Sequence, residues 1–137
     1  MRTALDTSVL SALWSGEPSA HNIESVLFKA RSEGGLVVCA PVHCELLAYP
    51  SASRRFVKEF LFETGILVDF DLDEQIWQRA ATAFVAYAER RRRSQGGSPK
   101  RMLIDFVVAA HTLFSADRLM TLDGSRYHQD FPRLQIV

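Results

Sequence analysis

Short apolar runs alternate along the chain with longer stretches whose apolar residues recur at helical spacing. This is the pattern of βαβ units feeding a parallel sheet. Four runs predict strands at residues 3–6, 36–40, 66–68 and 118–122, the second behind the breaker Gly34-Gly35 and the third behind Gly65; residues 134–137 predict a fifth. Residues 19–31 carry Ile23, Val26, Leu27 and Ala30 on one helical face, with Ser19 suited to the N-cap. Pro41 fits the first turn of a helix bearing Glu45, and Pro50 follows its end. Phe56, Phe60 and Leu61 mark another helix. Asp73 is expected to cap a long one with the buried stripe Ile76, Ala80, Ala83, Phe84 and Tyr87. The expectation is an α/β fold in a single domain over residues 1–137.

One stretch interrupts this rhythm. Residues 90–101 contain Arg90, Arg91, Arg92, Arg93, Lys100 and Arg101, no acid, and the breakers Gly96, Gly97 and Pro99. The stretch reads as a loop leading into the helix of Asp105. Its ordinary role is a solvated connector; its functional role is contact with the phosphates of a nucleic acid or with an acidic protein segment.

Charge sharpens that picture. The chain has 16 basic and 16 acidic side chains, so any contact with nucleic acid must come from a local patch rather than a global field. Cys39 and Cys44 form neither a C-x-x-C pair nor a disulfide framework, which points to a reducing cytoplasm. Asp6 interrupts the N-terminal apolar run, against a signal-peptide core, and no apolar run approaches the ~20 residues of a membrane span.

The chemistry lies in four carboxylates. Asp6 ends the first strand, Asp123 ends the run 119–122, Asp105 opens the helix of residues 105–111, and Glu45 follows the second strand. Functional groups of an open parallel sheet collect at the carboxyl ends of its strands, where all four acids can meet. Each has an ordinary explanation as a helix cap, a first-turn acid, a surface residue or a turn residue. Capping, however, does not call for four acids at one sheet edge. Gathered carboxylates repel one another unless a cation neutralises them, and oxygen donors without His or Cys suit Mg²⁺ or Mn²⁺. Such ions activate water and neutralise phosphate, which is the chemistry of phosphodiester cleavage.

The residues that carry these acids resemble a family. Met1-Arg2-Thr3-Ala4-Leu5-Asp6-Thr7-Ser8-Val9-Leu10 is similar to the opening of PIN-domain ribonucleases, especially the VapC-type toxins of bacterial VapBC toxin–antitoxin pairs. Val42-His43-Cys44-Glu45-Leu46 resembles their second-acid helix and Ile104-Asp105-Phe106-Val107-Val108-Ala109-Ala110-His111 their third. Met120-Thr121-Leu122-Asp123, with Tyr127, Phe131-Pro132, Leu134 and Ile136 beyond, resembles their fourth-acid strand and tail. The resemblance implies a three-layer α/β/α sandwich around a mainly parallel sheet of four to five strands. It implies a Mg²⁺-dependent (or Mn²⁺-dependent) endoribonuclease, a small VapB-like antitoxin partner and a homodimer. By position, Asp6 and Asp105 would be the principal metal ligands, Glu45 and Asp123 would complete the pocket, and Thr7 and Thr121 would orient a ligand or water. The basic stretch before Asp105, with Arg90, Arg91, Arg92, Arg93, Lys100 and Arg101, lies outside the family's defining pattern; under the resemblance it would contact RNA or an acidic antitoxin segment.

Other readings are weaker. Residues 69–74 hint at a calcium loop, but Glu74 stands where Gly is needed and Ala80 where Glu is needed; a strand end leading into a helix cap explains them. Cys39, His43 and Cys44 lack a second pair of zinc ligands. His111 is six positions past Asp105 and is expected to point away from the acids. A haloacid-dehalogenase phosphotransferase needs an acid where Ser8 stands, and a receiver domain needs a Lys after the run 119–122. Two alternatives remain within the resemblance: a non-toxin nuclease of RNA processing, and a catalytically silent RNA- or protein-binding scaffold.

Overall fold

The computed structural model describes residues 1–97 and 100–137; Ser98 and Pro99, part of the basic stretch, lie outside the described residues. The chain runs β1 (Thr3–Leu5), α1 (Thr7–Ser15), α2 (Ala20–Gly34), β2 (Leu36–Cys39), α3 (Ala40–Leu47), α4 (Arg54–Thr64), β3 (Ile66–Asp69), α5 (Glu74–Arg93), α6 (Leu103–Ser115), β4 (Arg118–Met120) and α7 (Ser125–His128). The strands pair in the order β3-β2-β1-β4, every pairing parallel. All residues of β1 and β2 are buried. A strand buried on consecutive residues is covered on both faces, and the fold is accordingly an α/β/α sandwich.

That order decides where a site can form. The chain leaves β1 toward β2 and β3, then returns to the opposite side of β1 as β4. The point of reversal lies between β1 and β4, where a crevice opens beyond the carboxyl ends of the strands. Leu5 pairs with Met120, so the residues just past them, Asp6 and Thr121, emerge side by side.

Most predicted elements are present, and the differences have physical reasons. Asp73 caps α5 by accepting from the Ile76 N–H at 3.2 Å, and Asp69 ends β3, as expected for the acidic decoy. Gly65 ends α4 at φ +71, a left-handed turn that favours glycine. The expected fifth strand shrinks to a single bridge, Ile136 to Leu119, flanked by hydrogen bonds from Leu119 N–H to Gln135 O (2.8 Å) and from Val137 N–H to Leu119 O (2.9 Å). The tail thereby covers the free edge of β4.

The largest correction concerns the arginines. Arg90, Arg91, Arg92 and Arg93 are not loop but the last turn of α5. Arginine is a good helix former, and the carbonyl end of a helix attracts cations. The break comes later, at Gln95 (φ 54) and Gly96 (φ 82). Farther on, the Arg101 N–H donates to the Tyr87 hydroxyl at 2.6 Å, tying the approach to α6 back onto α5. Phe84, Tyr87, Phe106 and Phe131 form the aromatic seam between those helices.

His111 behaves as predicted: it faces β3 and not the acids, fully buried, with Nε2 3.0 Å from Asp69 Oδ2. Burial holds its pKa below the ordinary 6.5, against the opposing pull of the Asp69 hydrogen bond and charge. The folded chain keeps the ring neutral where the unfolded chain takes up a proton. Stability from this group is therefore complete above pH 6.5 and is lost as pH falls toward the lower folded value. Urea midpoints between pH 7.5 and pH 5.5, about a unit either side of the imidazole range, should drop more for the parent than for His111→Gln. Equal drops would place the acid sensitivity elsewhere.

Candidate functional site

Asp6 is the centre of the crevice. It is the N-cap of α1, taking the Ser8 N–H at 3.0 Å on Oδ1, and the Ser8 hydroxyl donates to the same oxygen. Its Oδ2 accepts from the Thr121 hydroxyl and, at 3.2 Å, from Tyr127 Oη. A helix cap needs one such bond. Asp6 is buried and takes donors from α1, from the residue after β4 and from α7, so its orientation is set by three segments. Burial, followed by the charges of Asp6 and Asp105, pushes the Tyr127 phenol upward, which keeps it a proton donor to Asp6.

The other acids approach from separate elements. Glu45 projects from α3 and accepts from the Thr7 hydroxyl, a bond that joins the start of α1 to the second-acid helix. Asp105, the third residue of α6, takes the Met102 N–H at 3.3 Å on Oδ2. Its carboxylate at the N-terminal end of α6 is favoured by the helix dipole. Asp6, Glu45 and Asp105 all line one cavity of about 150 Å³, with Thr7, Ser8, Arg126 and Tyr127.

Asp123 stands apart. β4 ends at Met120 and the following turn carries Asp123 outward, half-exposed and outside the lining of that cavity. Its link inward is indirect: its N–H donates to Thr121 Oγ1 at 3.2 Å, and Thr121 in turn donates to Asp6. The Ser125 hydroxyl holds the Asp123 carboxyl below its ordinary range, aided by the positive charges of Arg126 and Arg101.

Arg126, which the sequence reading passed over, spans the two aspartates. Its Nη1 lies 3.4 Å from Asp105 Oδ1, and its Nε lies 3.6 Å from Asp123 Oδ2. That Nε is buried and has no hydrogen-bond partner among the described residues. Arg126 follows Asp123 by three residues, which is helical spacing, but α7 has only four residues and no periodic pattern to reveal it. Ser8 is the second residue passed over as a contributor. Besides donating to Asp6 it accepts from the Leu122 N–H at 3.3 Å, so it joins the ends of β1 and β4.

The remaining basic residues separate. Arg90 is paired with the nearly buried Asp130 at 2.6 Å, and Arg93 with Glu89 at 3.9 Å. Arg91, Arg92, Lys100 and Arg101 line a neighbouring open groove. The zinc alternative finds no support, since Cys39 is buried with its thiol pushed up to about 11 by burial, while Cys44 is exposed.

The donor chemistry can be tested against a divalent ion. The cavity offers three carboxylates and several hydroxyls, and neither imidazole nor thiolate lines it. Among the described residues no three or more His, Cys, Asp or Glu side chains stand close enough together to hold a metal ion by themselves. A structural zinc site needs such a cluster. Mg²⁺ does not: it keeps several waters and takes one or two carboxylates together with substrate oxygens. The residues present fit a hard, water-rich ion.

A parallel α/β sandwich with an acid-lined cavity at its strand-reversal point defines an α/β domain whose functional groups meet beyond the carboxyl ends of its strands. The PIN domain model matches residues 3–132, and the chain belongs to that family. The whole fold is similar to VapBC-1 from nontypeable Haemophilus influenzae, at 21% identity and a TM-score of 0.64, covering 100% of this chain and 97% of that one. It is also similar to VapBC2 from Rickettsia felis bound to a DNA fragment from their promoter, at 17% identity and a TM-score of 0.62, covering 100% and 98%. No curated protein matches the chain. None of the helices among the described residues is long and apolar enough to cross a membrane.

Proposed function

We propose that this chain is a Mg²⁺-dependent endoribonuclease, a single catalytic domain that acts as the cytoplasmic toxin of a toxin–antitoxin pair. The observation that carries the reading is the meeting of Asp6, Glu45 and Asp105, from three separate elements, on one cavity at the strand-reversal point. Membership of the PIN family supports nuclease chemistry. The likeness of fold to two VapBC structures supports a small VapB-like antitoxin as partner; the homodimer rests on the family resemblance of the sequence alone.

In this reading Asp6 and Asp105 are the principal ligands of the ion, Glu45 completes the set directly or through water, and Asp123 acts from the rim. A bound Mg²⁺ would supply a water acidic enough to attack near neutral pH and would offset phosphate charge. The side chains of the site do the positioning. Ser8, Thr121 and Tyr127 hold both oxygens of Asp6 by donated hydrogen bonds, which fixes the orientation of its carboxylate. Thr7 does the same for Glu45. Arg126 offsets the repulsion between Asp105 and Asp123 and presents a cation at the cavity wall, where a substrate phosphate would lie.

The purified chain should cut single-stranded RNA internally with Mg²⁺ present, and excess EDTA should stop the reaction, with Mg²⁺ or Mn²⁺ restoring it. Cutting that persists unchanged in EDTA would remove the carboxylate–metal mechanism.

A further inference from the structure

The arginine-rich end of α5 has no part in the chemistry above, yet its cations are not scattered. The groove between the end of α5 and the start of α6 has a volume of about 520 Å³ and includes Arg91, Arg92, Lys100 and Arg101 among its lining residues. No acidic side chain lines it, in a chain whose 16 basic and 16 acidic side chains cancel overall. Phe84 also lines it, half-buried and held edge-on against Phe106 at 5.1 Å between ring centroids.

The groove is also connected. Arg101 lines it and, on its other side, lines the small pocket that holds Asp105 and Arg126. Arg101 is fixed in place by the bond from its N–H to Tyr87. Arg101 therefore stands between the cations at the end of α5 and the pair Arg126 and Asp105. Arg90 and Arg93 lie outside the groove, because neither lines it.

We infer that this groove is a binding track for the sugar–phosphate backbone of single-stranded RNA, leading the strand from Arg91, Arg92 and Lys100 past Arg101 to the carboxylates. The inference rests on the nuclease reading for its choice of RNA. Three features favour a substrate strand over a docked protein. Cations without acids match a repeating anion, the partly exposed Phe84 ring offers a surface for a base or ribose, and Arg101 of the groove also lines the pocket of Asp105 and Arg126.

The test uses the full chain carrying Asp105→Asn, so that the probe survives, with a 12-nucleotide single-stranded RNA, and compares it with the same chain carrying Arg92→Gln and Lys100→Gln in addition. Each phosphate contact on a single strand contributes a slope of about 0.7 to the fall of log affinity with log salt. Four contacts predict about a 50-fold loss of affinity between roughly 50 and 200 mM salt, and two contacts about a sevenfold loss. Circular dichroism and melting temperature should be the same for both proteins, since Arg92 and Lys100 lie at the surface of the groove. Equal salt slopes would overturn the inference. So would unchanged RNA binding together with weakened binding of a polyglutamate peptide, which would assign the groove to an acidic protein segment. If the slopes differ as predicted but the parent chain fails to cut RNA with Mg²⁺, the track stands and the nuclease reading falls.

Discussion

Asp105→Asn is expected to lower RNA cleavage by about a thousandfold, the scale on which one preorganised charged group acts in an active site. The chain should remain folded. An asparagine oxygen can still accept the Met102 N–H that Asp105 takes at 3.3 Å, so the first turn of α6 keeps its bond. What changes is charge. The cavity loses one of its three carboxylates, and Arg126 loses its partner at 3.4 Å. The missing helix-dipole interaction costs less than about 1 kcal/mol, and relief of repulsion toward Asp6 and Glu45 offsets part of that. Single-turnover cleavage of a labelled RNA, paired with urea unfolding, separates the two effects. A variant that cuts at the parental rate would show that Asp105 does not hold the ion.

Asp6 makes the sharper comparison because it serves structure and chemistry at once. Asp6→Asn keeps an N-cap oxygen for Ser8 and should cost about 1 kcal/mol of stability, while cleavage falls by about the same thousandfold as for Asp105→Asn. Asp6→Ala removes the cap and leaves the buried hydroxyls of Thr121 and Tyr127 without their acceptor. The cap is worth about 1 kcal/mol and each orphaned hydroxyl about 1–3, so this variant should lose about 3–7 kcal/mol, a large share of a small domain's stability. Both variants should be inactive, but only the alanine should unfold at distinctly lower urea. Equal midpoints would mean that the hydroxyls around Asp6 do not depend on it.

The parallel sheet was legible because strands covered on both faces leave short, nearly continuous apolar runs, such as Leu36-Val37-Val38-Cys39. Asp6, Glu45 and Asp105 were legible for a related reason: each lies within a few residues of a clear strand end or helix start. The arginines misled because four like charges beside glycines resemble a solvated loop, whereas the helix terminus accepts them. The outward position of Asp123 depends on where β4 stops, and the run 118–122 gives no sign that pairing ends at Met120. Arg126 was hidden by the brevity of α7. Its role arises from a tertiary contact, the approach of α7 to the start of α6, which no local pattern encodes.

The central claim is that Asp6, Glu45 and Asp105 form a site for a divalent ion. Crystals of the chain grown with Mn²⁺ test it most directly, through the anomalous scattering of the metal. A single peak or a pair of peaks in the cavity bounded by these three carboxylates, lost in Asp105→Asn, is the predicted result. Mn²⁺ bound elsewhere, or none in this cavity at saturating concentration, would contradict it.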